Sequence, residues 1–170
     1  MATRSSETVS SESEFQPRRR VLTMGKYILR RNGVPAGARG GLRNMLERSL
    51  GARSFAVFWQ YWNPVFGYTL GRYVFSPLKR AFPPAIALVV TFVVCGAVHD
   101  LVTTLVRGSL AFLFTPWFFF LGIGVVAGRL ARMDLGRFPW RVRATANLAY
   151  VTSCLGLALL VRSSWRAWVS

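Results

Sequence analysis

Residues 85–106, AIALVVTFVVCGAVHDLVTTLV, constrain this chain more than any other stretch. They form one apolar run interrupted by a single histidine and a single aspartate. As a helix, a run of this length rises about 33 Å, enough to cross a hydrocarbon core of ~30 Å. Arg107 and Gly108 punctuate it, and 109–128, SLAFLFTPWFFFLGIGVVAG, read as a second span with Pro116 inside. A third, weaker span covers 144–161, ATANLAYVTSCLGLALLV. The fold class is therefore an all-α integral membrane protein with about three transmembrane helices. They follow a bent aromatic interfacial or re-entrant segment and a basic N-terminal arm. An apolar content of 52%, with 14% aromatic residues, agrees with that class.

Charge supplies the topology. Residues 1–17 are Ser- and Glu-rich and net negative, which predicts a disordered tail. Residues 18–54 form a basic arm, with ten Lys or Arg against Glu47. The glycines and proline of RRNGVPAGARGG split it into helical candidates near 21–31 and 41–50. Leu42, Met45, Leu46 and Leu50 recur at helical spacing, so the second candidate suits a membrane surface. The remainder, 55–170, forms the membrane domain. Its 129–143 loop holds five arginines and Asp134. Positive charge gathers on the cytoplasmic side, which places the N-terminus and this loop inside and the C-terminus opposite. The formal charge of +16 then serves topology and attraction to anionic membrane lipid. No nucleic-acid partner is expected, because the aromatics cluster with the apolar segments and not with the basic arm. No secretory leader is legible in the first 54 residues, and Trp165 and Trp168 suit the headgroup level.

Ionisable groups inside a span are costly, ~2.5–3.5 kcal/mol for Asp at a helix centre, and mark polar cavities or functional paths. His99 is the chain's single histidine. It stands about 21 Å along a helix from Ala85. Thr91, Cys95, His99 and Thr103 recur every four residues and make one polar row. Asp100 points about 100° away, so it is a poor partner for the ring. The histidine is either a general base or an interhelical hydrogen-bonding residue. Cys95 and Cys154 read as small core residues, and no metal-ligand cluster is evident.

The aromatic stretch FWQYWNPVFGYTLGRYVFSPL, residues 58–78, adds a second polar oddity, Asn63, between Trp62 and Pro64. Pro64, Gly67, Gly71 and Pro77 argue against one straight helix. Such backbone survives at membrane depth only where protein or a cavity surrounds it. Asn63 either ties down the Pro64 turn or offers an amide donor to a carbonyl oxygen. Arg72, Lys79 and Arg80 serve as positive-inside anchors or meet the phosphates of a donor.

Together these residues resemble the signature region of the membrane-bound O-acyltransferase family. The matching pieces are Phe58-Trp59-Gln60-Tyr61-Trp62-Asn63, Arg72-Tyr73-Val74-Phe75-Ser76-Pro77-Leu78 and Gly96-Ala97-Val98-His99. The separation of Asn63 from His99, 99 − 63 = 36 residues, is similar to that of the family's sterol and diacylglycerol acyltransferases. The resemblance covers about 55–107. It implies transfer of an acyl group from a thioester donor, commonly acyl-CoA as co-substrate and not as a bound cofactor, to a hydroxyl acceptor. It implies His99 as catalytic base with Asn63 as its polar partner, and Trp59, Trp62, Arg72 and Tyr73 as substrate-binding residues. Family enzymes carry many more spans before this motif. Cavity walls would then come from further copies or a second membrane subunit. The alternatives are a non-catalytic subunit that keeps these residues for packing, and a basic membrane-surface adaptor working through its arm.

Overall fold

The computed structural model describes residues 22–110 and 112–169, and every regular element among them is helical. The tail expected over 1–17 lies outside the described residues. The arm forms α1 (Met24–Asn32) and α2 (Gly41–Leu50). The aromatic stretch forms α3 (Phe55–Tyr61) and α4 (Pro64–Leu70), then a π-helical turn (Gly71–Phe75) and α5 (Ser76–Ala81). The apolar runs form α6 (Pro84–Arg107), α7 (Phe114–Leu130) and α8 (Trp140–Val169).

Among the described residues, two helices are long and apolar enough to cross a membrane: α6, with 24 residues, and the 25-residue stretch Trp140–Ser164 of α8. Much of their apolar surface faces away from the protein, including Leu101, Val102, Leu105 and Val106 on α6 and Leu157, Leu159 and Leu160 on α8. An apolar exterior on this scale needs an apolar surrounding.

The segment expected as a second span over 109–128 is different. Gly108 ends α6 in the left-handed conformation at φ 66°, and α7 begins only at Phe114 and runs 17 residues. Pro116 therefore sits in the first turn of α7, where a missing N–H costs nothing, and not in the middle of the helix. The third expected span begins four residues earlier than the 144–161 reading, at Trp140.

Helix α7 packs between α6 and α8, and α3 lies against α7 and α8. Gly96 makes the first contact possible. A Cβ there would sit 2.6 Å from the Phe114 carbonyl oxygen and 2.8 Å from Thr115 Cα, both backbone atoms. The buried core is Leu121, Val125, Tyr150 and Cys154, ringed by Phe55, Trp59, Phe92, Trp117 and Phe118. Tyr150 anchors it. Its hydroxyl donates to the Leu121 carbonyl and accepts from Trp59 Nε1 at 3.3 Å, while Phe55 stacks on its ring at 3.9 Å. Cys95 and Cys154 are buried free thiols.

The arm is part of this body. Asn147 of α8 is fully buried, and its Nδ2 donates to the carbonyls of Leu50 at 2.8 Å and Ala52 at 2.9 Å. Trp140 Nε1 donates to the Glu47 carbonyl at 3.1 Å. Arg31 Nη1 donates to Gln60 Oε1 at 2.7 Å, and the rings of Tyr27 and Tyr68 meet at 5.6 Å. Leu42 and Leu46 stay exposed on α2, leaving an apolar face outward.

Candidate active site

Asn63 separates α3 from α4. It adopts φ 40°, ψ 74°, a left-handed conformation that asparagine tolerates better than most residues. Pro64 follows at the first helical position, where its fixed φ suits a helix start. The Asn63 Oδ1 accepts the Phe66 N–H at 3.3 Å, and its own N–H donates to Met45 Sδ at 3.3 Å. The side-chain carbonyl thus caps α4, which is the Pro64-turn role. The Nδ2 group keeps its donors without a partner among the described residues.

The helix continues from Pro64 to Ala81 despite Gly71 and Pro77. The wide turn at Gly71–Phe75 closes with the Ser76 N–H on the Gly71 carbonyl, five residues back, and Pro77 falls at the start of α5. Single π turns inside α-helices recur at functional sites.

On α6 the polar row forms as its spacing implies. Thr91 Oγ1 donates to the Ala87 carbonyl at 2.7 Å and Thr103 Oγ1 to the His99 carbonyl at 2.7 Å. The His99 Nδ1 lies 2.7 Å from the Cys95 carbonyl. A carbonyl only accepts, so Nδ1 carries the proton and Nε2 keeps its lone pair. The ring is bracketed by Phe66 at 5.7 Å, Phe114 at 5.4 Å and Phe118 at 5.2 Å.

Asp100 turns to a different task. Its Oδ1 accepts the N–H groups of Leu113 at 3.0 Å and Phe114 at 2.9 Å, and its Oδ2 accepts that of Thr115 at 2.7 Å. These are donors that a helix start leaves unpaired. The buried carboxylate therefore caps α7 from the neighbouring helix, and a negative charge also suits that end of the helix dipole.

Asn63 and His99 line one cavity of about 230 Å³. Trp59 and Trp62, which the resemblance implies as substrate-binding, stand in its wall, with Phe66, Phe92 and Phe118 as further aromatic walls. Those three phenylalanines were not singled out by the sequence, because an aromatic residue in an apolar run carries no signal of which way it faces. Arg72 and Tyr73 are not in the wall. The face of the α4 and π-turn segment toward the cavity carries Gly67, Leu70, Gly71 and Phe75. Arg72 and Tyr73 fall on the other side, where Arg72 Nη1 donates to the Tyr68 hydroxyl at 3.0 Å and Tyr73 is 66% exposed.

Among the described residues, no Asp, Glu, Lys or Arg lines the cavity. It therefore favours a neutral group with a carbonyl or hydroxyl, bounded by aromatic carbon, and not a phosphate or a carboxylate. Compared with known proteins, the chain matches no family model, no curated protein and no solved structure.

Proposed function

We propose that the protein is a membrane-embedded acyltransferase that uses His99 as general base. The observation that carries this reading is the shared cavity of His99 and Asn63, with a proton-accepting Nε2 on one residue and a free amide donor on the other. In the reaction, Nε2 takes the proton of an acceptor hydroxyl, and its oxygen attacks the carbonyl carbon of a thioester, probed with acyl-CoA. The Asn63 Nδ2 donates to the oxyanion that develops. The C–S bond then breaks, and the leaving thiolate receives the proton from the imidazolium. An ester and a free thiol result.

In this reading α6, α7 and α8 all cross the membrane, the shorter α7 with its ends near the two headgroup layers. The basic arm and the loop after α7 face the cytoplasm, by the distribution of arginine. The stretch from α3 to α5 lies in the inner half of the bilayer as a bent aromatic element. The cavity is small beside an acyl chain, so the remaining wall belongs to another copy or a second membrane subunit.

A non-catalytic membrane subunit is the second reading. It is favoured by the structural duties of the same two residues, since Asn63 caps α4 and His99 bonds within its own helix. A basic adaptor is less favoured, because α1 and α2 are tied to α3 and α8. The deciding experiment gives purified protein a labelled acyl-CoA and a panel of lipid and glycan hydroxyls. Transfer that disappears in His99→Ala, with assembly unchanged, supports the enzyme. Transfer equal in both proteins removes His99 as the base, and no transfer with any acceptor favours the subunit.

A further inference from the structure

A second cleft lies at the opposite end of α7 from His99, where Arg53, Arg129 and Arg132 border one hollow of about 290 Å³. Its two sides come from segments far apart in the chain, and they are pinned together. The Leu135 N–H donates to the Arg53 carbonyl at 2.7 Å. The three guanidiniums have no hydrogen-bond or ion-pair partner among the described residues. Asp134, the one acid in the wall among the described residues, accepts the Gly136 N–H on Oδ1 at 2.7 Å, and the wall keeps a net formal charge of 3 − 1 = +2. Arg132 holds φ 50° just past the end of α7, a position where glycine is the usual residue. The chain keeps a third guanidinium there instead.

Part of the lining of the cleft is apolar: Phe55, Ala56, Val57 and Met133 border it together with the arginines. The cleft sits beside the start of α8, one of the two helices able to cross a membrane, where Phe138 and Trp140 are exposed. Exposed aromatics at the end of a spanning helix mark the headgroup level.

The geometry points to a binding site for an anionic phospholipid, its headgroup phosphate held by Arg53, Arg129 and Arg132 and its glycerol and first methylenes against the apolar lining residues. Guanidinium groups recognise phosphate oxygens through paired, charge-assisted hydrogen bonds. A free phosphate ion has no use for the apolar lining, whereas an amphiphile suits both kinds of residue. The site needs only the membrane placement and is independent of acyl transfer.

The test uses detergent-purified full-length protein titrated with fluorescent phosphatidylglycerol. Arg129→Gln together with Arg132→Gln is expected to weaken binding about a hundredfold, roughly tenfold per charge-assisted contact. Arg30→Gln with Arg43→Gln, the same charge loss on α1 and α2, is expected to weaken it less than about threefold, the scale of a screened surface charge. Arg132→Gly is the folding control. Glycine accepts the left-handed backbone, so the thermal midpoint should hold or rise while affinity falls about tenfold. Equal losses from the two double variants would mean diffuse attraction and overturn the site. So would equal binding of phosphatidylcholine, or unchanged affinity in Arg132→Gly. Displacement by millimolar inorganic phosphate at constant ionic strength would assign the cleft to a free anion and overturn the lipid.

Discussion

His99 Nδ1 donates to the carbonyl of Cys95, one turn earlier on the same helix, at 2.7 Å. That bond selects the tautomer and leaves Nε2 as the nitrogen able to accept a proton. On the proposed acyltransferase reading, His99→Ala is expected to lower acyl transfer by about 10²–10⁴-fold, the usual contribution of a general base. Labelled acyl-CoA turnover measures it, with size-exclusion profiles to show intact assembly.

Asn63 does two things with one side chain, and they can be separated. Asn63→Asp keeps an oxygen for the Phe66 N–H but has no amide donor. On the same reading, the expected result is an unchanged thermal midpoint with transfer reduced about a hundredfold, the scale of one lost oxyanion donor. Full activity in Asn63→Asp would reduce the residue to a helix cap.

Asp100 predicts a stability effect in place of a chemical one. Asp100→Ala leaves three N–H groups at the start of α7 unpaired and is expected to cost about 3 kcal/mol. Asp100→Asn retains one acceptor oxygen and should recover roughly half of that loss. Thermal unfolding in detergent reports both. A wild-type midpoint in Asp100→Ala would show that the cap is dispensable.

Gly96 and Asp100 act on the same junction. An alanine at 96 pushes the α7 backbone away, because Phe114 O and Thr115 Cα cannot yield as a flexible side chain would. Once that end of α7 has moved, Asp100 no longer reaches its three donors. The double variant Gly96→Ala/Asp100→Ala should therefore be less destabilised than the sum of the singles, by about 1 kcal/mol or more. Simple additivity across the cycle would refute the coupling.

Asn147→Ala should release the link between α2 and α3 from α8, at a cost of about 2–4 kcal/mol. Asn147→Asp should cost more, because a carboxylate would face the carbonyls of Leu50, Ala52 and Arg143 with no proton to share. Limited proteolysis between α2 and α3 follows the release. Equal resistance in wild type and both variants would show that other contacts hold the arm.

Much of the helical plan was legible in the residues. The apolar run before Arg107 and Gly108 delimits α6 because a glycine that can turn left-handed ends a helix cleanly. The four-residue spacing of Thr91, Cys95, His99 and Thr103 predicts a common face, of which the first three line the cavity and Thr103 does not. The start of α7 was not legible. Its first turn is set by a carboxylate 13 residues earlier, and no local rule assigns Asp100 to that role. That Arg72 and Tyr73 fall outside the cavity wall was not legible either, because both lie within the π turn Gly71–Phe75, whose five-residue bonds have no sequence period.

By itself the sequence determined the apolar length and the rotation of α6, because apolar length and helical period are local quantities. It also marked Asn63 and His99 as polar groups out of place. Only the tertiary structure decided that these two face one cavity, that Asp100 serves α7, and that Asn147 gathers the arm onto α8. Each of those depends on which backbone groups are left unpaired where helices meet, and such pairing forms between segments 13 to 97 residues apart.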